Sequence, residues 1–157
     1  VLHIDGDFAD SSVLLQPRSG RLGDGCGYQR VEQKQGTTTA GAATLRFTSA
    51  RQQFRIWIVP TDESPAEVIV AEGPTNSPKE TKPMLILRRT AAAARFVTVL
   101  EPVTQAQSLG GVRTEKDPDG RQVRLVLEWS TGSDRIRLGG KAPGAVLDAI
   151  SGLRNGS

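Results

Sequence analysis

Alternation of apolar and polar residues with a period of two, cut at short intervals by Pro, Gly and Ser, is what most constrains this chain. Successive side chains of a strand point to opposite faces, so each such run commits one face to a core and the other away from it. In Phe54-Arg55-Ile56-Trp57-Ile58-Val59, the residues Phe54, Ile56 and Ile58 share one face and Arg55, Trp57 and Val59 the other. Pro60 then ends the run by removing a backbone donor. In Gln122–Ser130, Val123, Leu125, Leu127 and Trp129 point one way, and Arg124, Val126 and Glu128 the other. The turn Ser130-Thr131-Gly132-Ser133 leads into Arg135-Ile136-Arg137-Leu138, which makes a hairpin. No window sustains a 3.6-residue apolar repeat, so helices are not expected.

Further strands are expected at Leu2–Ile4, Val13–Gln16, Tyr28–Lys34, Ala43–Thr48, Glu67–Ala71, Met84–Arg89, Arg95–Glu101 and Val112–Lys116. Asp117-Pro118-Asp119-Gly120 is a strong turn, because Pro and Gly each fix a backbone angle it needs. Gly73–Lys82 reads as a long polar loop, and Ala145–Ile150 as a last strand or a single helical turn. About ten short strands with frequent turns give an all-β fold, an antiparallel β-sandwich with little or no helix. Residues 1–150 are expected to form one domain and 151–157 a flexible tail.

At 157 residues such a domain can bury a core without disulfides or metals. Aromatic residues are only 4%, so aliphatic side chains must fill most of it. Cys26 is the single cysteine, which forbids an internal disulfide and leaves the compartment open. No apolar run approaches the roughly 20 residues of a membrane span. The net charge of +3 is spread over interleaved charges of both signs, which argues against a nucleic-acid partner. Val1 already lies in a strand pattern and the one methionine is Met84, so the chain reads as part of a longer or processed polypeptide.

Several segments, taken in order, carry a resemblance. They are Val1-Leu2-His3, the glycine-rich stretch running into Gly27-Tyr28, Phe54–Pro60, Glu67-Val68-Ile69-Val70-Ala71-Glu72-Gly73-Pro74, and Phe96-Val97-Thr98-Val99-Leu100-Glu101-Pro102. Over residues 1–102 they resemble the C-terminal β-sheet region of heparinase II/III-like polysaccharide lyases. The resemblance implies a parent enzyme with a helical toroid, which acts on uronate-containing polysaccharides by β-elimination, in a secreted or periplasmic (bacterial) setting. That chemistry needs an acid, a base and a neutralised carboxylate. With one His, one Tyr and no helical domain, this chain is expected to be the non-catalytic accessory part.

The candidate contacts follow from residue type and phase. Arg124, Arg135 and Arg137 fall on one face of the predicted hairpin, where guanidinium groups can grip uronate or sulfate; the same pattern also describes a solvated face. Trp57, flanked by Arg55, offers a platform for a sugar ring, or packs under a neighbouring domain of a longer protein or in the second layer of the sandwich core. Arg88, Arg89 and Arg95 flank the turn at Ala91–Ala94 and form a further basic rim, whereas Trp129 is in phase with the core. His3, Asp5 and Asp7 have residue types that suit a metal, but the spacing also suits a strand end followed by an acidic turn. No cofactor is expected, and Tyr28 and Cys26 read as packing or loop residues rather than catalytic ones.

Three functions compete. The chain is an accessory β-sandwich that contacts an acidic polysaccharide beside the toroid of its parent lyase, an independent carbohydrate-binding module for an anionic glycan, or a purely structural docking domain.

Overall fold

The computed structural model describes residues 1–25, 27–50, 52–75, 80–92, 94–103, 108–116 and 123–138, and the backbone of 147–151. Cys26, the expected turn at Asp117–Gly120, and residues 152–157 of the expected tail lie outside the described residues. The fold is all-β and antiparallel, and the described residues form thirteen strands in three sheets and one short 3-10 turn at Tyr28–Arg30.

The strands are β1 (Leu2–His3), β2 (Asp7–Ser11), β3 (Gln16–Pro17), β4 (Glu32–Thr39), β5 (Ala43–Thr48), β6 (Gln53–Val59) and β7 (Ala66–Pro74). They continue with β8 (Thr81–Arg88), β9 (Val97–Pro102), β10 (Leu109–Lys116), β11 (Val123–Trp129), β12 (Gly132–Leu138) and β13 (Leu147–Ser151). The first sheet has the order β1-β8-β7-β4-β3, the second β2-β5-β6-β9 and the third β10-β11-β12-β13.

The second sheet lies between the other two, and the alternation of β6 explains why. Its Ile56 and Ile58 join Leu45 and Phe47 of β5 against Val68, Val70 and Leu85 of the first sheet. Phe47 is fully buried there between Phe8 and Phe54, with both ring centroids 5.6 Å from its own. The other phase of β6 and β9, with Trp57, Val59, Val97 and Val99, packs on Leu109, Val112, Leu125, Leu127, Trp129 and Ile136 of the third sheet. A third cluster covers the far face of the first sheet: Ile69, Ala71, Met84 and Ile86 under Leu22, Val31 and Tyr28. The sandwich therefore has three layers.

The structure corrects four local expectations. Asp7 and Asp10 do not lie in an acidic turn: β2 begins at Asp7, because Phe8 pairs with Phe47 across the ladder and packs inward. Tyr28 starts a 3-10 turn rather than a strand, entered through Gly27 at φ +94°, and β4 begins only at Glu32. The polar segment Gly73–Lys82 is shorter as a loop, since Gly73 pairs with Lys82 and Pro74 with Thr81 at the end of the β7–β8 hairpin. Of the expected strand Val13–Gln16 only Gln16 is in a strand, the two-residue β3, whose partners are Gly36 and Gln35 of β4.

Two glycines are set by close approach. Gly6 turns the chain from the first sheet into the second at φ +154°, where a Cβ would stand 2.9 Å from the Thr48 carbonyl oxygen. Gly36 sits in β4 where a Cβ would come within 2.8 Å of the Val68 carbonyl oxygen.

Candidate functional site

The residues expected to meet a ligand fall in two places. Arg55 and Trp57 belong to the joint between the second and third sheets. Glu101 of β9, opposite Arg55 in the ladder, is only 5% exposed, and it collects three partners. Its Oε2 accepts the Trp57 indole N–H at 2.7 Å and lies 3.4 Å from the Arg55 Nε. Its Oε1 accepts the backbone N–H of Leu109 at 2.5 Å, at the start of β10. The Arg55 guanidinium lies 5.2 Å from the centroid of the Trp57 ring and donates to the Leu109 carbonyl at 3.4 Å. Of the places open to Trp57, the structure gives the sandwich core: its ring packs with the third sheet's cluster. A buried carboxylate left unpaired would be costly, and here a cation and two N–H groups surround it.

Arg124, Arg135 and Arg137 lie on the opposite, outward face of the third sheet. Leu125, Leu127 and Ile136 point at the second sheet, so the residues between them point away. Across this face the ladder forms a lattice. Glu115, Arg124 and Arg137 make one row, Arg113, Val126 and Arg135 the next, and Gly111, Glu128 and Ser133 the third. Arg113 donates to Glu128 Oε1 at 2.8 Å and to Glu115, and Glu115 Oε2 lies 3.7 Å from the Arg135 Nε. The hydrogen bond from Arg113 outweighs the effect of burial and holds the Glu115 carboxyl below its usual range. Among the described residues the face carries four guanidinium groups and two carboxylates. Arg113 and Arg135 are about half exposed, at 48% and 50%. Val126 is fully buried in the lattice between Arg113 and Arg135, where arginine stems can cover an aliphatic side chain.

The sequence did not single out Glu67 of β7. Its Oε1 accepts from Arg18, and its Oε2 accepts from Arg88 Nε at 2.8 Å and from the second terminal nitrogen at 2.5 Å. Arg88 also donates to the Leu22 carbonyl, which ties the covering segment to the first sheet. Burial pushes the Glu67 carboxyl up, but the hydrogen bonds from Arg18 and Arg88 prevail and hold it below its usual range. The neighbouring Arg89 is 5% exposed; it donates to Asp62 Oδ2 at 2.9 Å and the Ser64 carbonyl at 2.8 Å, and it lies over Phe96. Two of the three arginines read as a basic rim, Arg88 and Arg89, are thus held by carboxylates. The backbone carbonyl of Arg95 accepts from the Thr61 hydroxyl at 3.5 Å.

His3 stands on β1, opposite Met84. Asp5 pairs with Lys82 at 2.8 Å and Asp10 with Arg46 at 3.2 Å. Among the described residues no three His, Cys, Asp or Glu side chains come together as a metal site would need. Leu2, His3, Phe54, Ile56, Leu100 and Pro102 line a cleft of about 400 Å³ between β1 and β9, each at the edge of its sheet.

No family model matches the chain, and neither a curated protein nor a solved structure is significantly similar to it.

Proposed function

We propose that this chain is a non-catalytic accessory β-sandwich domain that contacts an acidic, uronate-containing polysaccharide through the outward face of its third sheet. The parent protein on this view is a polysaccharide lyase of the heparinase II/III-like kind, whose helical toroid holds the acid–base chemistry. The observation that carries the proposal is the register that sets Arg124 opposite Arg137, with Arg135 next on the same strand and phase. Guanidinium groups set this close together on one sheet face offer several N–H donors to an extended anion laid across them. Guanidinium groups suit carboxylates because their paired N–H donors match both oxygens. Among the described residues the lattice carries four guanidinium groups to two carboxylates, a balance that favours an extended polyanion of modest charge density.

Trp57 and Arg55 enter this reading as support for the third sheet and not as sugar contacts, since the Trp57 N–H donates to Glu101 and the Arg55 guanidinium pairs with Glu101 and donates to the Leu109 carbonyl. Retardation of the purified chain in native gels cast with alginate, pectate or heparin tests the proposal, with a neutral glucan as control. Retardation by a uronate polymer and not by the glucan is expected. Equal mobility in all gels contradicts it. Formation of an ultraviolet-absorbing unsaturated uronate by the purified chain would contradict the non-catalytic part.

A further inference from the structure

A groove of about 770 Å³ opens at the end of the first sheet, lined by Thr38, Ser64, Glu67, Arg88, Arg89 and Thr90 among others. Its volume falls in the range of small-molecule sites, roughly 300–1,000 Å³. Its lining differs from that of the edge cleft, because charged and hydroxyl groups converge here on one space.

We propose that this groove binds a small hydroxy-carboxylate, of the size and chemistry of a single sugar acid. The first ground is charge. In the lining, Arg88 and Arg89 accompany Glu67; behind it Arg18 pairs with Glu67 and Asp62 with Arg89, so three cations meet two anions and one positive charge is left over. That excess suits a monoanion and disfavours a dianion such as phosphate. The second ground is an unfilled donor. The Arg89 side chain is 5% exposed, and among the described residues its Nε–H finds no acceptor while its two terminal nitrogens are engaged. A buried donor in that state costs about 1–3 kcal/mol, which a ligand oxygen brought within its reach would recover. The third ground is the hydroxyl lining from Thr38, Ser64 and Thr90, whose groups both donate and accept, as a polyol requires. Glu67, fixed by Arg18 and Arg88, keeps lone pairs able to accept from ligand hydroxyls. The groove is separate from the arginine lattice of the third sheet, and the proposal stands without that surface's function.

Two-dimensional NMR of the whole chain, titrated in parallel with glucuronate, methyl glucoside and inorganic phosphate, tests it. Glucuronate is expected to give saturable shifts at Thr38, Ser64, Glu67 and Arg88–Ala91, at least about tenfold tighter than either control. Arg18→Gln removes the excess charge from a partly exposed position, and is expected to bring glucuronate down to the affinity of methyl glucoside. Arg89→Lys keeps the charge but removes the Nε–H, and is expected to weaken glucuronate by about tenfold. Shifts confined to Arg124, Arg135 and Arg137 would overturn the groove while leaving the proposed polysaccharide surface standing. Equal binding of all three compounds, no shifts at all, or undiminished glucuronate binding by the folded Arg18→Gln chain would also overturn it.

Discussion

The Trp57 indole donates to the Glu101 carboxylate at 2.7 Å, and this bond joins two strands of the second sheet beneath the first residue of the third. Trp57 and Glu101 lie on paired strands in the same phase, so the alternation that buries Val97 and Val99 also buries Glu101. The carboxylate is held by an arginine, an indole and a backbone amide, and each partner would be left unsatisfied without it.

Glu101→Ala is therefore expected to destabilise the chain by about 3–5 kcal/mol, the range for removing one member of a buried charged pair. Glu101→Gln keeps an acceptor for Trp57 and should cost less. Denaturant unfolding of both variants checks this; an alanine variant within about 0.5 kcal/mol of the parent, as for an indifferent surface change, would mean the joint is not held by Glu101.

How far the joint was legible in the sequence depends on the link considered. Alternation in Phe54–Val59 and Arg95–Glu101 placed Arg55, Trp57 and Val59 on one face, and the structure keeps that phase. It could not tell whether water, sugar or a third sheet covered the face, because that depends on where β10–β12 fold back, a long-range matter. A signal was present: Glu101 is in phase with Val97 and Val99, so a carboxylate on an apolar face called for a cation, and Arg55 is in phase with Trp57 and Val59. The hairpin β11–β12 was legible in its place and phase, but its turn is the two residues Ser130-Thr131: Gly132 and Ser133, read as turn, already pair with Trp129 and Glu128. Strand β2 was missed because Asp7, Ala9 and Asp10 outweigh Phe8 in any local count, whereas the partner Phe47 lies far along the chain. Glu67 was hidden for the same reason, since Arg18 and Arg88 come from distant segments.

The acid limb of stability should depend on carboxylates held by cations and, for Asp62, chiefly by the Ser64 backbone N–H. Asp5, Asp62, Glu67 and Glu115 all have their carboxyls lowered from the usual value. A lowered folded pKa gives stability that is present above the unfolded value, about 4 for these groups, and is lost as pH falls through the folded value. Stability is expected to fall below about pH 4, and Glu67→Gln to flatten that limb while lowering stability at neutral pH. Urea midpoints measured from pH 7 to pH 2.5 check it; a Glu67→Gln profile parallel to the parent's would contradict the role given to Arg18 and Arg88.

Gly6→Ala should destabilise by about 1–3 kcal/mol, since it combines a positive φ with a Cβ against the Thr48 carbonyl. Gly20→Ala serves as comparison: its φ is +75° but no atom lies within 4 Å of the added Cβ. Thermal unfolding should rank Gly6→Ala as the worse of the two, and the reverse order would mean that crowding at Thr48 is relieved by a small backbone shift.

On the proposed function, the outward face of the third sheet binds acidic polysaccharide through its arginines. Isothermal calorimetry with a uronate polymer, comparing the parent chain with Arg124→Gln/Arg137→Gln, tests it most directly, with unfolding curves to confirm that the variant keeps its fold. Binding by the parent that weakens with added salt is expected, with a loss of at least about tenfold in the folded variant. Equal affinity of the two chains, or binding indifferent to salt, would contradict it.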